Sequence, residues 1–143
     1  MTCSRPSTVF TVTLSAASGR TVTVTIGTGD DTAIAGGSAS SGGQDFVART
    51  AALSFAPGET TKTFAVTINN DALDEPDEQY RVSLGGAVNA TVAVPAVSGT
   101  ITDDDAAPTI SVADLAHVEG TGAATTAAVP VTLSAPSGRT IMV

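Results

Sequence analysis

The sequence predicts an all-β protein: an antiparallel two-sheet sandwich of immunoglobulin-like character with no significant helix. Three observations predict it. Short runs alternate apolar with polar residues, turn-forming pairs separate those runs, and no stretch carries a helical period. Side chains on a strand point alternately to its two faces, so each alternating run has one face for a core and one for water. The first run sets Phe10, Val12 and Leu14 against Thr11 and Thr13, and Ser18-Gly19 turns the chain after it. The second sets Val22, Val24 and Ile26 against Thr21, Thr23 and Thr25. Gly36-Gly37 and Gly42-Gly43 mark a loop, and residues 51–55 form a third strand that ends at Pro57-Gly58. Phe64, Val66 and Ile68 alternate with Thr63, Ala65 and Thr67 in the fourth, closed by Asn69-Asn70. Residues 79–84 carry Tyr80, Val82 and Leu84 inward up to a turn at Gly85-Gly86. Residues 92–102 are the last strand of this series, and Pro95, which has no ladder donor, places it at an edge or a bulge.

Charge is distributed unevenly along this framework. Eight of the fourteen acidic residues lie in two stretches where predicted strands stop: Asp71, Asp74, Glu75, Asp77 and Glu78, then Asp103, Asp104 and Asp105. Two carboxylates about 4 Å apart repel by about 4 kcal/mol at an effective dielectric near 20, so a fold that gathers several usually places a positive ion between them. Oxygen-only ligands on loops suit a hard cation, Ca²⁺ above all. The plainer reading is an acidic, solvated loop end that maintains solubility and keeps strand edges from pairing.

Composition bounds the function. The chain has 143 residues and a formal charge of -8, enough for one domain or one and a fraction. Its six cationic residues, Arg5, Arg20, Arg49, Lys62, Arg81 and Arg139, are scattered singly. Without a basic patch to neutralise phosphate, the sequence argues against nucleic acid. No apolar run approaches the roughly 20 residues of a membrane-spanning helix, and the first residues lack the regions of a signal peptide, so if the protein is exported its signal lies outside this sequence or was removed. Lone Cys3 forms no internal disulfide and reads as a terminal free thiol. Low lysine with abundant Thr, Ser, Gly and Ala is compatible with a secreted repeat protein.

An internal repeat is present. Residues 12–24 (VTLSAASGRTVTV) recur as residues 131–143 (VTLSAPSGRTIMV), with ten of thirteen positions identical at an offset of 119. That offset is about one sandwich domain, so the chain reads as a window on a tandem array. Between the Asp triplet and the recurrence, residues 108–120 (PTISVADLAHVEG) read as a further strand that begins each repeat. Nothing resembling it precedes Phe10.

These segments carry a family resemblance. Residues 55–68 (FAPGETTKTFAVTI), 69–84 (NNDALDEPDEQYRVSL) and 99–105 (GTITDDD) resemble the Calx-β domain, the repeat found in sodium/calcium exchanger regulatory loops, integrin β4 and many bacterial surface proteins. The acidic turn before the Tyr80 strand and the terminal triplet are its most specific parts. Residues 29–36 (GDDTAIAG) resemble the family's Asp-Gly-Thr-Ala-x-Ala-Gly turn with Asp31 in place of Gly, and residues 37–44 read as an insertion before Asp45-Phe46, where the family has Asp-Tyr. The resemblance implies a Greek-key sandwich over residues 9–105 without its first strand, a short linker at 106–108, and the first strands of a following repeat over 109–143.

It also implies a Ca²⁺ site. In calcium-binding members the ligands come from positions matching Asp30, then Asn70, Asp71, the Leu73 carbonyl, Glu75 and Glu78, then Asp103, Asp104 and Asp105, and a glutamate ending the first strand, here Glu119. Asn70 stands where strong binders have aspartate, and Glu119 belongs to the following repeat. Both departures imply weaker or fewer sites than a full carboxylate set.

Other features have plainer readings. His117 and Glu119, two apart, would share a strand face as in a transition-metal site, but a partly exposed histidine is the simpler reading. Lys62, the single lysine, sits in a segment that invites an isopeptide bond, against which stands solvent exposure. The tract 36–43 lacks the helix and Lys-Ser/Thr of a phosphate cradle and reads as a loop. One Cys, one His and serines in turn contexts supply no nucleophile with its base and orienting partner, so the chain is not an enzyme.

Two function classes follow. In one, the chain is a calcium-rigidified, adhesive or structural module of a long secreted or cell-surface protein, with cations stiffening junctions between neighbouring Calx-β repeats; a calcium-free spacer is its lesser form. In the other, identical subunits join head to tail, residues 109–118 of one filling the first-strand groove of the next in an open-ended filament. The partial second copy over 127–143 speaks against a pure donor strand. Closure of 109–119 onto its own chain is disfavoured, because returning along a sandwich about 35 Å long takes about ten extended residues.

Overall fold

The computed structural model describes residues 6–33 and 44–143. Cys3 and the glycine-rich tract 36–43 lie outside the described residues, as do two of the turn signals. The chain divides into two compact units, Met1–Asp71 with Pro76–Asp103 and Ala72–Glu75 with Asp104–Val143. No helix among the described residues is long and apolar enough to cross a membrane.

The first unit contains six strands: β1 (Ser7–Thr13), β2 (Val22–Asp30), β3 (Thr50–Phe55), β4 (Thr61–Thr67), β5 (Glu78–Val88) and β6 (Ala96–Ile101). β1 pairs with β4, Phe10 opposite Phe64, and the other sheet runs β3-β2-β5-β6, every pairing antiparallel. The two sheets form the all-β sandwich that the alternation predicts. On β2, Val22, Val24 and Ile26 are buried while Thr25 faces water; Phe64 and Val66 of β4, and Tyr80 and Val82 of β5, complete the interior. Ile26, Phe46, Phe64, Val66, Tyr80 and Val82 pack as one cluster, and Val22, Val24 and Phe55 as a second. Each such side chain contributes about 1.5–3 kcal/mol on burial. That outweighs the preferences of the many exposed threonines, so burial sets the register.

One turn and one strand boundary differ from the sequence reading. Gly85-Gly86 does not end its strand: β5 continues to Val88, with the register against β2 shifting between Thr23 and Thr25. Gly86 takes φ 60, the left-handed value that lets an extra residue bulge without a Cβ clash, and the turn falls at Asn89, φ 62. The last strand starts at Ala96, after Pro95, and occupies the sheet edge. Pro57-Gly58 turns as expected, with Gly58 at φ 88 and Glu59 N–H bonded to the Ala56 carbonyl at 2.9 Å.

Tyr80 is the centre of the first core. Its ring stacks on Phe46 at 4.9 Å and meets Phe10 edge-on at 6.1 Å. It also lies across Gly99, its register partner on β6, so closely that a Cβ there would overlap the ring. The Tyr80 hydroxyl is buried with no well-formed hydrogen bond among the described residues. Burial pushes its pKa above the usual phenol value, and the Thr8 side chain only partly opposes the rise.

Two basic side chains of the first unit are each held singly. Arg49 lies over the Phe64 ring at 4.9 Å and donates to the Ala65 carbonyl. Lys62 pairs with Glu59 at 2.8 Å and remains about one-third exposed, and this contact holds the Glu59 carboxyl below its usual range.

In the second unit β7 (Ile110–Val112) pairs antiparallel with β8 (Val131–Leu133), Ile110 opposite Leu133. The strand expected over 109–119 stops at Val112. Beyond it residues 113–130 are exposed and have no neighbouring ladder to fix an extended backbone. His117 accordingly bonds Thr125 Oγ1 through Nε2 at 2.7 Å, and no strand face aligns it with Glu119.

Candidate metal centre

The acidic residues of the first unit are positioned by the ends of its strands. Asp30 closes β2 opposite Tyr80, and the turn after it is fastened to the start of β5: Ala33 N–H donates to the Gln79 carbonyl at 2.8 Å, and Gln79 N–H to Thr32 Oγ1 at 2.7 Å. Glu78 opens β5 opposite Ile101 of β6. Asp77 Oδ1 accepts the Asp103 N–H at 3.1 Å, tying the turn before β5 to the end of β6.

Asp45 arrives by a different route. Phe46, fully buried, bridges Ile68, and this pins the preceding residue beside the turn that leaves β4. Asn69 N–H donates to the Asp45 carbonyl at 2.8 Å and Asn69 Nδ2 to the Gln44 carbonyl at 2.8 Å. Asp45 is thereby only 7% exposed, the one carboxylate of the first unit carried into the interior among the described residues.

Asp45 and Glu78 meet there. Their carboxylate oxygens lie within 4.8 Å of one another. Two oxygens that each sit about 2.4 Å from one hard cation are at most about 4.8 Å apart, so the pair fits around a single ion. At an effective dielectric near 20, two charges at that separation repel by about 3 kcal/mol.

The sequence-predicted ligands divide between the units. Asp30, Asn70, Asp71, Glu78 and Asp103 belong to the first, with Asn70 and Asp71 exposed and Asp103 half-buried. Leu73, Glu75, Asp104, Asp105 and Glu119 belong to the second, with Asp104 and Glu119 exposed. Of the first group, Glu78 joins Asp45, while Asp30 and Asp71 stand outside that grouping among the described residues. Asp45 is a residue that the charge pattern did not select. Phe46, the buried aromatic that follows it, anchors the carboxylate at a fixed depth.

Asp74, also acidic and unassigned by the sequence reading, has another role. In the second unit it is 8% exposed and bound by three neighbours: Arg139 Nε at 3.2 Å, the Ser137 hydroxyl donating to Oδ2 at 3.0 Å, and Gly138 N–H donating to its carbonyl at 3.0 Å. Arg139 also donates to the Glu75 carbonyl at 2.7 Å, and Gly138 lies against the Glu75 side chain with no room for a Cβ. Asp74 is thus neutralised by protein groups.

The Calx-beta domain family matches residues 1–106. The chain belongs to the Calx-beta family. This Calx-beta chain is similar to solved structures of the calcium binding domain CBD12 of CALX1.1, at 29% identity and TM-score 0.61 over 76% of this chain and 43% of that one. It is similar to the apo-form Calx CBD1 domain at 29% identity and TM-score 0.52, over 61% of this chain and 73% of that one. CBD12 from CALX1.2 matches at 26% identity and TM-score 0.60, over 76% and 42% of the two chains. The chain therefore spans less than half the length of either CBD12 structure. No curated protein sequence matches it.

Proposed function

We propose that this chain is a non-catalytic, Ca²⁺-binding structural module of a longer secreted or cell-surface protein. The observation that carries the proposal is the meeting of buried Asp45 with Glu78, their oxygens within 4.8 Å, in a Calx-beta sandwich. Two carboxylates brought this close attract a cation between them, and an all-oxygen donor set selects a hard one. The ligands that the family pattern implies are Asp30, Asn70, Asp71, the Leu73 carbonyl, Glu75, Glu78, Asp103, Asp104, Asp105 and Glu119. The calcium binding description of the CBD12 relative supports the choice of ion.

Mechanically, an ion that binds only the ordered acidic ends stabilises them by mass action, and in an array with neighbouring Calx-β repeats it stiffens each junction. The recurrence of residues 12–24 at 131–143 supports an array. The six cationic residues are scattered singly along the chain, Arg49, Lys62 and Arg139 being engaged by Phe64, Glu59 and Asp74, and no nucleic-acid role is assigned.

Thermal unfolding in excess EDTA against millimolar Ca²⁺, with Mg²⁺ as control, tests the reading. A rise of several degrees with Ca²⁺ alone is expected. Superposed curves in all three would refute it and leave a calcium-free spacer.

A further inference from the structure

Beside β1 the first unit holds an apolar groove of about 650 Å³, lined by Phe10, Val12 and Leu14 on one side and by Val24, Val82 and Val97 on the other. Among the described residues β1 pairs with β4 alone. Leu14 N–H donates to the Thr60 carbonyl and Ile68 N–H to the Pro6 carbonyl, so the even-numbered residues of β1 bond toward β4. Antiparallel ladders alternate, so the N–H and C=O groups of Thr11 and Thr13 point to the open edge.

The second unit shows what that edge takes. β8 is the repeat of the end of β1, Val131, Thr132 and Leu133 standing 119 positions after Val12, Thr13 and Leu14. Ser134 N–H donates to the Thr109 carbonyl at 3.0 Å, which makes Thr132 and Ser111, two further along, the next bonded pair. Thr132 corresponds to Thr13. The edge of β8 that β7 occupies is therefore the same edge that stands open on β1.

We propose that this groove takes residues 109–113 of a second copy of the chain, added antiparallel to β1 with its Ile110 opposite Leu14, its Ser111 opposite Thr13 and its Val112 opposite Val12. This parity turns the incoming Ile110 and Val112 toward the groove beside Val12 and Leu14. It also lets the Ser111 hydroxyl meet Thr13 as it meets Thr132 Oγ1 at 3.0 Å. Against β8 the same two side chains remain 44% and 64% exposed over a three-residue ladder, so the exchange replaces a short exposed pairing with a buried one. Asp114 would bring a carboxylate inward opposite Phe10, so the added strand leaves the edge there. Donor and acceptor are different surfaces, hence the association is head-to-tail and open-ended.

The test uses full-length chains with Cys3→Ser, in EDTA so that the outcome is independent of cation binding. Val12→Cys chains are mixed with Val112→Cys chains and oxidised; the two positions form a non-hydrogen-bonded pair with Cα atoms about 4.5 Å apart, within disulfide range. A linked heterodimer is expected, with little linkage when Val12→Cys is mixed with Ser111→Cys. Leu14→Cys with Ile110→Cys repeats the test where Val12→Cys fails to fold. Sedimentation of the unaltered chain should show mass rising with concentration. Equal linkage in both registers, or a monomer at every concentration, overturns the proposal. A Val12→Cys/Val112→Cys chain that closes on itself as a monomer overturns the assignment to a second copy.

Discussion

Replacing Asp45 with asparagine keeps the side chain's shape and an acceptor oxygen while removing one of two charges whose oxygens lie within 4.8 Å. At an effective dielectric near 20 that charge pair is worth about 3 kcal/mol of repulsion. Glu78 is half-buried and reached by solvent, which reduces the relief on mutation to about 1–2 kcal/mol. For a domain of this size each kcal/mol moves the midpoint by roughly 4–8 °C. In EDTA, Asp45→Asn is therefore expected to melt about 5–10 °C above the parent. In millimolar Ca²⁺ the order reverses or the gap closes, because the variant loses a ligand and with it the cation's increment. The assay is thermal unfolding of both proteins under both conditions. A variant that melts below the parent by the same amount with and without Ca²⁺ would show Asp45 to be a structural carboxylate satisfied by protein groups, and would refute the argument.

Two further outcomes are expected. Gly99→Ala places a methyl group into the Tyr80 ring with rigid sheet backbone on both sides, and should lower the urea midpoint by the equivalent of about 1–3 kcal/mol; an unchanged midpoint would show that β6 shifts freely. Tyr80→Phe removes a buried hydroxyl without a well-formed bond and should leave stability unchanged or raise it by about 1 kcal/mol at neutral pH. With a folded-state pKa raised above the unfolded value, Tyr80 contributes stability that is complete below about pH 10 and is lost as pH climbs toward the folded value. The variant should therefore have a shallower alkaline limb in denaturation against pH, and identical limbs would contradict the burial argument.

The strands were legible because burial acts on neighbours in sequence: Val22, Val24 and Ile26 announce their inward face every second residue, and the structure buries all three. Family membership was legible from the acidic turn and the Asp triplet. What escaped depends on contacts far apart in the chain. Asp45 reaches Glu78 only because Phe46 bridges Ile68, and no local pattern encodes that bridge. Asp74 looked like any member of its cluster, yet Arg139 and Ser137 neutralise it from 65 and 63 positions away. The bulge at Gly86 was misread as a turn because a glycine pair serves either purpose, and its partner strand decides which.

Tyr80 is the single tyrosine of a chain that has no tryptophan, and its ring is sealed between β5 and β6 against Gly99. The four phenylalanines also lie in the first unit, and the second has no aromatic residue at all. The protein is consequently its own optical reporter. Near-ultraviolet absorbance and tyrosine emission record the opening of one seam in one sandwich, unlabelled, while the second unit is silent at those wavelengths. Circular dichroism in the amide region registers both units, so a mismatch between the two signals would reveal directly whether they unfold together.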